Sequence, residues 1–106
     1  MILSVVNDFC ETPGPRFKSE GNFSGEEFRD EILEPKFLLA KRNNEKLIIK
    51  LDGVYGYPVS FLEEAFGGLS KKYSCQTVLD ILSFESDDIS LIHEIINCIK
   101  FYNIND

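Results

Sequence analysis

The sequence predicts a small α/β protein: a single domain over residues 1–106, in which a four-stranded mixed sheet packs against about three helices in the order ββαβαβα. Three observations predict this class. A chain of 106 residues has room for one hydrophobic core. Runs of β-prone residues alternate with helical patterns, which is typical of a sheet with parallel pairs. Two Ser-x-x-Glu sequences have the spacing of a capping box, which marks the start of a helix.

The first 23 residues predict a hairpin. Residues 2–9 are rich in β-prone side chains and predict a strand. Two prolines and a glycine within residues 12–15 mark a turn. Residues 16–18 then predict a short return strand.

The first capping box, Ser24 with Glu27, predicts a helix that runs to about Arg42. Phe28 and Ile32 lie on one face of it at helical spacing. Pro35 interrupts the pattern, so either the helix kinks there or one helix ends before it and another begins.

Residues 46–52 predict a central strand covered on both faces, because their apolar run is nearly continuous. A loop rich in glycine and tyrosine follows, and the second capping box predicts a helix with Ser60 at its N-cap. Gly67 and Gly68 either end that helix or allow close packing inside it.

The last third predicts a strand over residues 76–84 and a final helix. Ser86, Asp87 and Asp88 supply a cap and two acids where they complement the helix dipole. An isoleucine stripe follows at helical spacing, formed by Ile89, Ile92, Ile96 and Ile99.

Charge and composition exclude several classes of protein. The net charge is −7, which argues against binding to nucleic acid or to anionic lipid. No apolar run approaches the ~20 residues that span a bilayer, and the N-terminus has no signal-peptide pattern. Three widely spaced cysteines and a single histidine predict no disulfide framework, metal site or cofactor. We therefore expect a cytoplasmic protein, either a monomer or a homodimer, with reduced thiols.

The segment from Leu51 to Leu69, LDGVYGYPVSFLEEAFGGL, carries the candidate site. It joins a buried strand to a capped helix, and ligands of open α/β sheets meet the carboxyl ends of strands. Ser60 is either a simple helix cap or a phosphate acceptor at the helix N-terminus. The predicted partner-binding surface consists of Ser60 and residues near it in the sequence: Asp52, Gly53, Tyr57, Pro58, Ser60, Phe61 and Glu64.

The segments RFKSEGNFSGEEFRDEILEPKF and LIIKLDGVYGYPVSFLEEAFGGL resemble the bacterial STAS-like domain family of unknown function, which is similar to the STAS domains of anti-sigma factor antagonists. The resemblance implies a non-enzymatic regulatory module that binds a histidine-kinase-type ATPase. It also implies that phosphorylation of a serine at a helix start switches that binding, and Ser60 matches this serine by position.

Other functions stay open at this point. The crevice near Asp52 and Tyr57 is also compatible with a small-molecule or nucleotide sensor. A small phage or mobile-element protein that binds a host factor is a further alternative. We do not expect an enzyme, because the sequence offers no recognisable set of nucleophile, base and orienting group.

Overall fold

The computed structural model describes residues 1–102, and in them a three-stranded parallel sheet carries five helices. The strand order is β1-β2-β3. The strands are β1 (Ile2–Ser4), β2 (Leu47–Lys50) and β3 (Leu82–Glu85). Three helices have a single segment: α1 (Val5–Asp8), α4 (Cys75–Ile81) and α5 (Ile89–Phe101). Two have three continuous segments with a π-helical middle: α2 (Gly25–Phe28, Arg29–Leu33, Glu34–Arg42) and α3 (Val59–Leu62, Glu63–Gly67, Gly68–Tyr73).

The prediction of an α/β class is confirmed, but a four-stranded mixed sheet with about three helices is wrong. The return strand at residues 16–18 does not form. Instead the chain runs along the start of α2, where the N–H groups of Gly25 and Glu26 donate to the carbonyls of Pro15 and Arg16 at 2.9 and 3.0 Å. The first turn of a helix has free N–H donors, so this segment satisfies them rather than pairing with β1.

Strand β1 is also shorter than the predicted residues 2–9. The hydroxyl of Ser4 accepts a hydrogen bond from the N–H of Asn7 at 3.3 Å and so caps the short helix α1. A local cap of this kind outcompetes the β propensity of the valines that follow it. The sheet therefore begins with only three residues.

Helix α2 begins where the sequence predicts. The N–H of Glu27 donates to the hydroxyl of Ser24 at 3.0 Å, and the Glu27 carboxylate accepts from the N–H of Phe23 at 3.1 Å. The helix continues through Pro35 without a break. The π-helical segment lies directly before the proline, and the N–H of Glu34 donates to the carbonyl of Arg29. This shift in hydrogen bonding allows a residue without an N–H to continue the helix.

Strand β2 is central, as predicted, but it is covered on one face only. Leu47 and Ile49 are fully buried against the helices, together with Leu3 of β1. On the opposite face Ile2 is 53% exposed and Lys50 is exposed. Parallel sheets are normally covered on both faces. The open face is therefore an unusual feature of this domain.

The predicted strand over residues 76–84 is wrong for most of its length, because residues 75–81 form α4. Ser74 has a positive φ of 81°, which ends α3, and its hydroxyl accepts from the N–H of Thr77 at 3.3 Å. This cap starts a new helix immediately. Only Leu82–Glu85 remains as a strand, and it pairs parallel with β2.

The last helix, α5, begins in the predicted segment, but its cap is Asp88 and not the predicted Ser86. The carboxylate of Asp88 accepts a hydrogen bond from the N–H of Leu91 at 3.1 Å. The buried stripe is shifted from the predicted one, since Ile95 and Ile99 are fully buried whereas Ile89 is 60% exposed. No helix within residues 1–102 is both long enough and apolar enough to cross a membrane.

Candidate functional site

The loops at the carboxyl ends of β2 and β3 are joined by Asp52. Its carboxylate accepts a hydrogen bond from the hydroxyl of Ser86 at 2.6 Å and another from the N–H of Asp87 at 3.1 Å. Ser86 in turn accepts from the N–H of Asp88, the cap of α5, at 3.0 Å. Asp52 thus fixes the spacing of two loops, which is a positioning role for an exposed side chain.

The loop from β2 to α3 is held by Gly53 and Tyr57. Gly53 has a φ of +96°, and a Cβ there would meet Val6 at 3.0 Å, so both conformation and space favour glycine. The hydroxyl of Tyr57 donates to the carbonyl of Leu51 at 2.7 Å. Burial and the nearby Asp52 raise the pKa of Tyr57, so its hydroxyl remains a donor. Tyr57 therefore packs under the loop, whereas Tyr55 is 84% exposed.

A cleft of about 340 Å³ opens between this loop and the start of α5. Three of its lining residues are acids, namely Asp52, Asp88 and Glu94, and none is basic. Because nucleotide phosphates are recognised by cations and N–H donors, this lining is unsuited to them. The lining suits a neutral or cationic group better.

Ser60 lies at the second position of α3 and is not its N-cap. The predicted cap is wrong, because the helix begins at Val59 with Pro58 at the N-cap, and no side chain caps it. Ser60 is half-buried, and within residues 1–102 its hydroxyl makes no hydrogen bond. A hydroxyl without a capping bond can accept a modification without loss of a helix cap.

Phe61 lies in the core rather than on the predicted contact surface. It is fully buried, and its ring centroid is 5.7 Å from that of Phe28 and 6.2 Å from those of Phe9 and Tyr57. The bulk of Phe61 thus anchors the first turn of α3. The neighbouring residues Pro58 and Val59 are exposed, so the accessible surface precedes Ser60 in the chain.

Glu64 is also part of the internal structure rather than of an accessible surface. Its carboxylate pairs with the Arg29 guanidinium, and the two side chains are only 13% and 12% exposed. Burial opposes the charge of Arg29, but the bonds to Glu64 and Asp30 outweigh it and raise the pKa of the guanidinium. The pair joins the π-helical segments of α2 and α3.

Glu63, one turn after Ser60, pairs with Arg16. The same guanidinium donates to the hydroxyl of Tyr102 at 2.7 Å, and the ammonium of Lys71 lies 4.7 Å from the Tyr102 ring centroid. Sequence reasoning missed Arg16, Arg29 and Tyr102, since no local spacing connects them to α3. As a result, Glu63 pairs with Arg16 and Glu64 pairs with Arg29.

Two of the three cysteine thiols have a raised pKa. Burial raises the pKa of the Cys98 thiol to about 11, and burial also raises that of Cys10. Both thiols are therefore protonated at neutral pH. His93 is exposed on α5, and residues 1–102 contain no group of three potential metal ligands.

The fold and this loop-helix junction define a small α/β domain with a three-stranded parallel sheet. A family model described as "STAS-like domain of unknown function (DUF4325)" matches residues 24–90, which is more than half of the chain. The chain therefore belongs to this STAS-like family. Neither a comparison with curated proteins nor one with solved structures gave a match.

Proposed function

We propose that this domain is a non-enzymatic regulatory module that binds a histidine-kinase-type ATPase in the cytoplasm, and that phosphorylation of Ser60 controls the contact. The observation that carries the proposal is the half-buried hydroxyl of Ser60, which makes no capping hydrogen bond at the start of α3, in a member of the STAS-like family. Resemblance to anti-sigma factor antagonists supplies the class of partner.

The proposed contact surface consists of Tyr55, Pro58, Val59 and Ser60, which we call the recognition surface. Tyr55 is 84% exposed and Val59 is 55% exposed. Exposed aromatic and apolar side chains are typical of the centre of a protein interface. Asp52, Gly53 and Tyr57 support this surface from beneath by fixing the loop.

A phosphate on Ser60 would be compatible with the fold. It would stand in the first turn of α3, where free N–H groups and the positive end of the helix dipole favour an anion. The side chains of residues three and four positions later share its helix face. These are Glu63 and Glu64, and their pairing with Arg16 and Arg29 reduces the repulsion that the sequence alone predicts.

The direct test incubates the domain with the candidate ATPase and ATP and locates any phosphate by mass spectrometry. We expect modification of wild type at Ser60 and none of Ser60→Ala. Ser83→Ala is the matched control, because Ser83 is an exposed serine on the open face of the sheet. A phosphate elsewhere, with Ser60 unmodified, would refute the switch.

Binding gives a second test that is independent of the kinase reaction. Ser60→Asp should weaken binding to the ATPase by about tenfold or more, because a charge enters an apolar contact. The same change should not unfold the domain, since an acid in the first turn stabilises a helix by about 0.3–1 kcal/mol. Equal affinity of Ser60→Asp, Ser60→Ala and wild type would remove Ser60 from the contact.

A second candidate function is the binding of a small ligand in the acidic cleft. The observation that favours it is the volume of about 340 Å³ beside Tyr55 and Tyr57. Its lining predicts an amine or another cationic group rather than a nucleotide. A thermal shift series with polyamines and with ATP separates these ligands, since a bound ligand raises the melting temperature with concentration. If neither polyamines nor ATP raise the melting temperature, the small-ligand candidate is set aside and the protein partner remains the proposed one.

A further inference from the structure

The two edges of the sheet differ in whether their backbone groups are satisfied. On β1 the ladder leaves the carbonyl of Ile2 and the N–H of Ser4 pointing away from β2. Lys36 donates to the Ile2 carbonyl at 3.4 Å, and the N–H of Ser4 donates to Asp8 at 2.8 Å. Side chains therefore occupy two of the outward backbone groups of this edge and obstruct its pairing with another strand.

The β3 edge has no such protection. The N–H of Leu51 donates to the carbonyl of Glu85 at 3.0 Å, so the backbone groups of Glu85 face β2. By the alternation of a parallel ladder, the N–H and carbonyl of Phe84 face outwards. Within residues 1–102 neither group has a hydrogen-bond partner. The Phe84 side chain, on the covered face of the sheet, is only half-buried.

We propose that β3 pairs antiparallel with β3 of a second copy of this chain, about a two-fold axis at Phe84. The two copies would then share one six-stranded sheet. Phe84 of each copy would exchange two backbone hydrogen bonds with Phe84 of the other, because residues opposite each other at such a position donate and accept in turn. A two-fold interface of this kind uses the same surface on both copies.

The side chains of β3 are self-complementary in this register. The two Phe84 rings lie side by side, which is a favourable cross-strand pair. On the open face Ser83 lies opposite Glu85 of the second copy, so no like charges are directly opposed. Lys50 is the register neighbour of Glu85 within each chain, so a basic residue lies beside Glu85 on the open face. These features favour a second copy over an unrelated strand.

The association should be weak and should strengthen with salt. A four-residue strand contributes little area compared with the ~800 Å² per partner of a standard interface. Each chain also carries a net charge of −7, so the copies repel each other until salt screens that charge. A basic partner peptide on the same edge would show the opposite salt dependence.

The first test uses charge at Ser83 and analytical ultracentrifugation up to about 1 mM protein, the range of weak complexes. Two symmetric Ser83–Glu85 pairs form in the dimer. Ser83→Lys should therefore tighten it, and Ser83→Glu should weaken it, each roughly 2- to 30-fold. Ser19→Lys and Ser19→Glu are the matched controls, because they change net charge equally at an exposed serine in the 3₁₀ helix Lys18–Glu20, outside β3.

The second test determines the register by crosslinking, with the half-buried Cys10 and Cys75 replaced by serine. Ser83→Cys and Glu85→Cys chains are oxidised separately and as a mixture. In the proposed register position 83 of one copy lies opposite position 85 of the other, with Cα atoms ~4.5 Å apart, which a disulfide can span. Two copies of the same position lie ~7–8 Å apart on the diagonal, which is too far for a disulfide. Only the mixture should therefore form a covalent dimer.

Three results would overturn the proposal. One is a monomer at every concentration and salt tested. Another is a dimer whose affinity responds to the Ser83 variants no differently from the Ser19 controls. The third is a dimer that forms no crosslink in the mixture, because such a dimer must use another face or register.

Discussion

The junction between α2 and α3 depends on a glycine at position 25. A Cβ on Gly25 would lie 2.5 Å from the carbonyl oxygen of Phe61 and 3.1 Å from its Cα. Both are backbone atoms, so no side-chain rotation can relieve the contact. We therefore predict that Gly25→Ala destabilises the domain and displaces the first turn of α3, which carries Ser60.

The magnitude follows from the geometry. Ordinary van der Waals contact begins at 3.4 Å, so the two helix starts must separate by about 0.9 Å, the difference from 2.5 Å. Overpacking of this kind costs about 1–3 kcal/mol. Alanine also lowers the conformational entropy of the unfolded chain, which stabilises the folded domain by about 0.4–1 kcal/mol. The free energy of unfolding should fall by about 1–2 kcal/mol.

Thermal and urea unfolding followed by circular dichroism measure this change. A loss of about 1–2 kcal/mol corresponds to a melting temperature lower by roughly 4–16 °C for a domain of this size. Gly56→Ala is the matched control, because no atom lies within 4 Å of its Cβ, and it should be neutral or slightly stabilising. If the melting temperature of Gly25→Ala equals that of Gly56→Ala and is not below that of wild type, α2 and α3 do not approach each other as closely as described.

Three further changes test the loops and the core. Asp52→Ala should lower the free energy of unfolding by about 0.5–1.5 kcal/mol in urea, because the Ser86 hydroxyl and the N–H of Asp87 lose an exposed acceptor; an unchanged midpoint would contradict that contact. Tyr57→Phe should cost about 1–3 kcal/mol by the same assay, since the buried Leu51 carbonyl loses its donor, and a loss well below this would show that water replaces it. Burial opposes ionisation of Glu34, but hydrogen bonds from two α3 side chains outweigh it and lower its pKa. Glu34 therefore stabilises the domain above its ordinary pKa of 4.5, and this stabilisation is lost as the pH falls through the lower pKa of the folded state. The difference in free energy of unfolding between wild type and Glu34→Gln should therefore shrink in acid. A constant difference across that pH range would refute the assignment.

Local signals in the sequence predicted the features that depend on local physics. The predicted cap at Ser24 forms a hydrogen bond with the N–H group three residues later. The apolar run around Ile49 becomes the central strand. In each case neighbouring residues supply both the signal and the partner, so no knowledge of the tertiary fold is needed.

The errors arose where tertiary contacts decide between two local possibilities. Residues 76–84 have a strand-like composition, but the positive φ of Ser74 starts a helix first, and sequence patterns do not reveal that dihedral angle. Residues 16–18 look like a return strand, yet the start of α2 takes up their carbonyls. Gly67 and Gly68 allow either of two roles, and only the packing of Tyr102 and Arg29 against them shows that they lie inside α3.

The candidate site shows the same division within four residues. The sequence identified the strand-loop-helix junction, and the family match covers it. The sequence did not determine how α3 is rotated about its axis, because the rotation depends on which of its side chains packs into the core. With Phe61 accepted into the aromatic cluster, the helix geometry of about 100° per residue turns Ser60 and Val59 away from the core. The burial of Phe61 is thus the physical reason that the neighbouring Ser60 stays outside the core and is only half-buried.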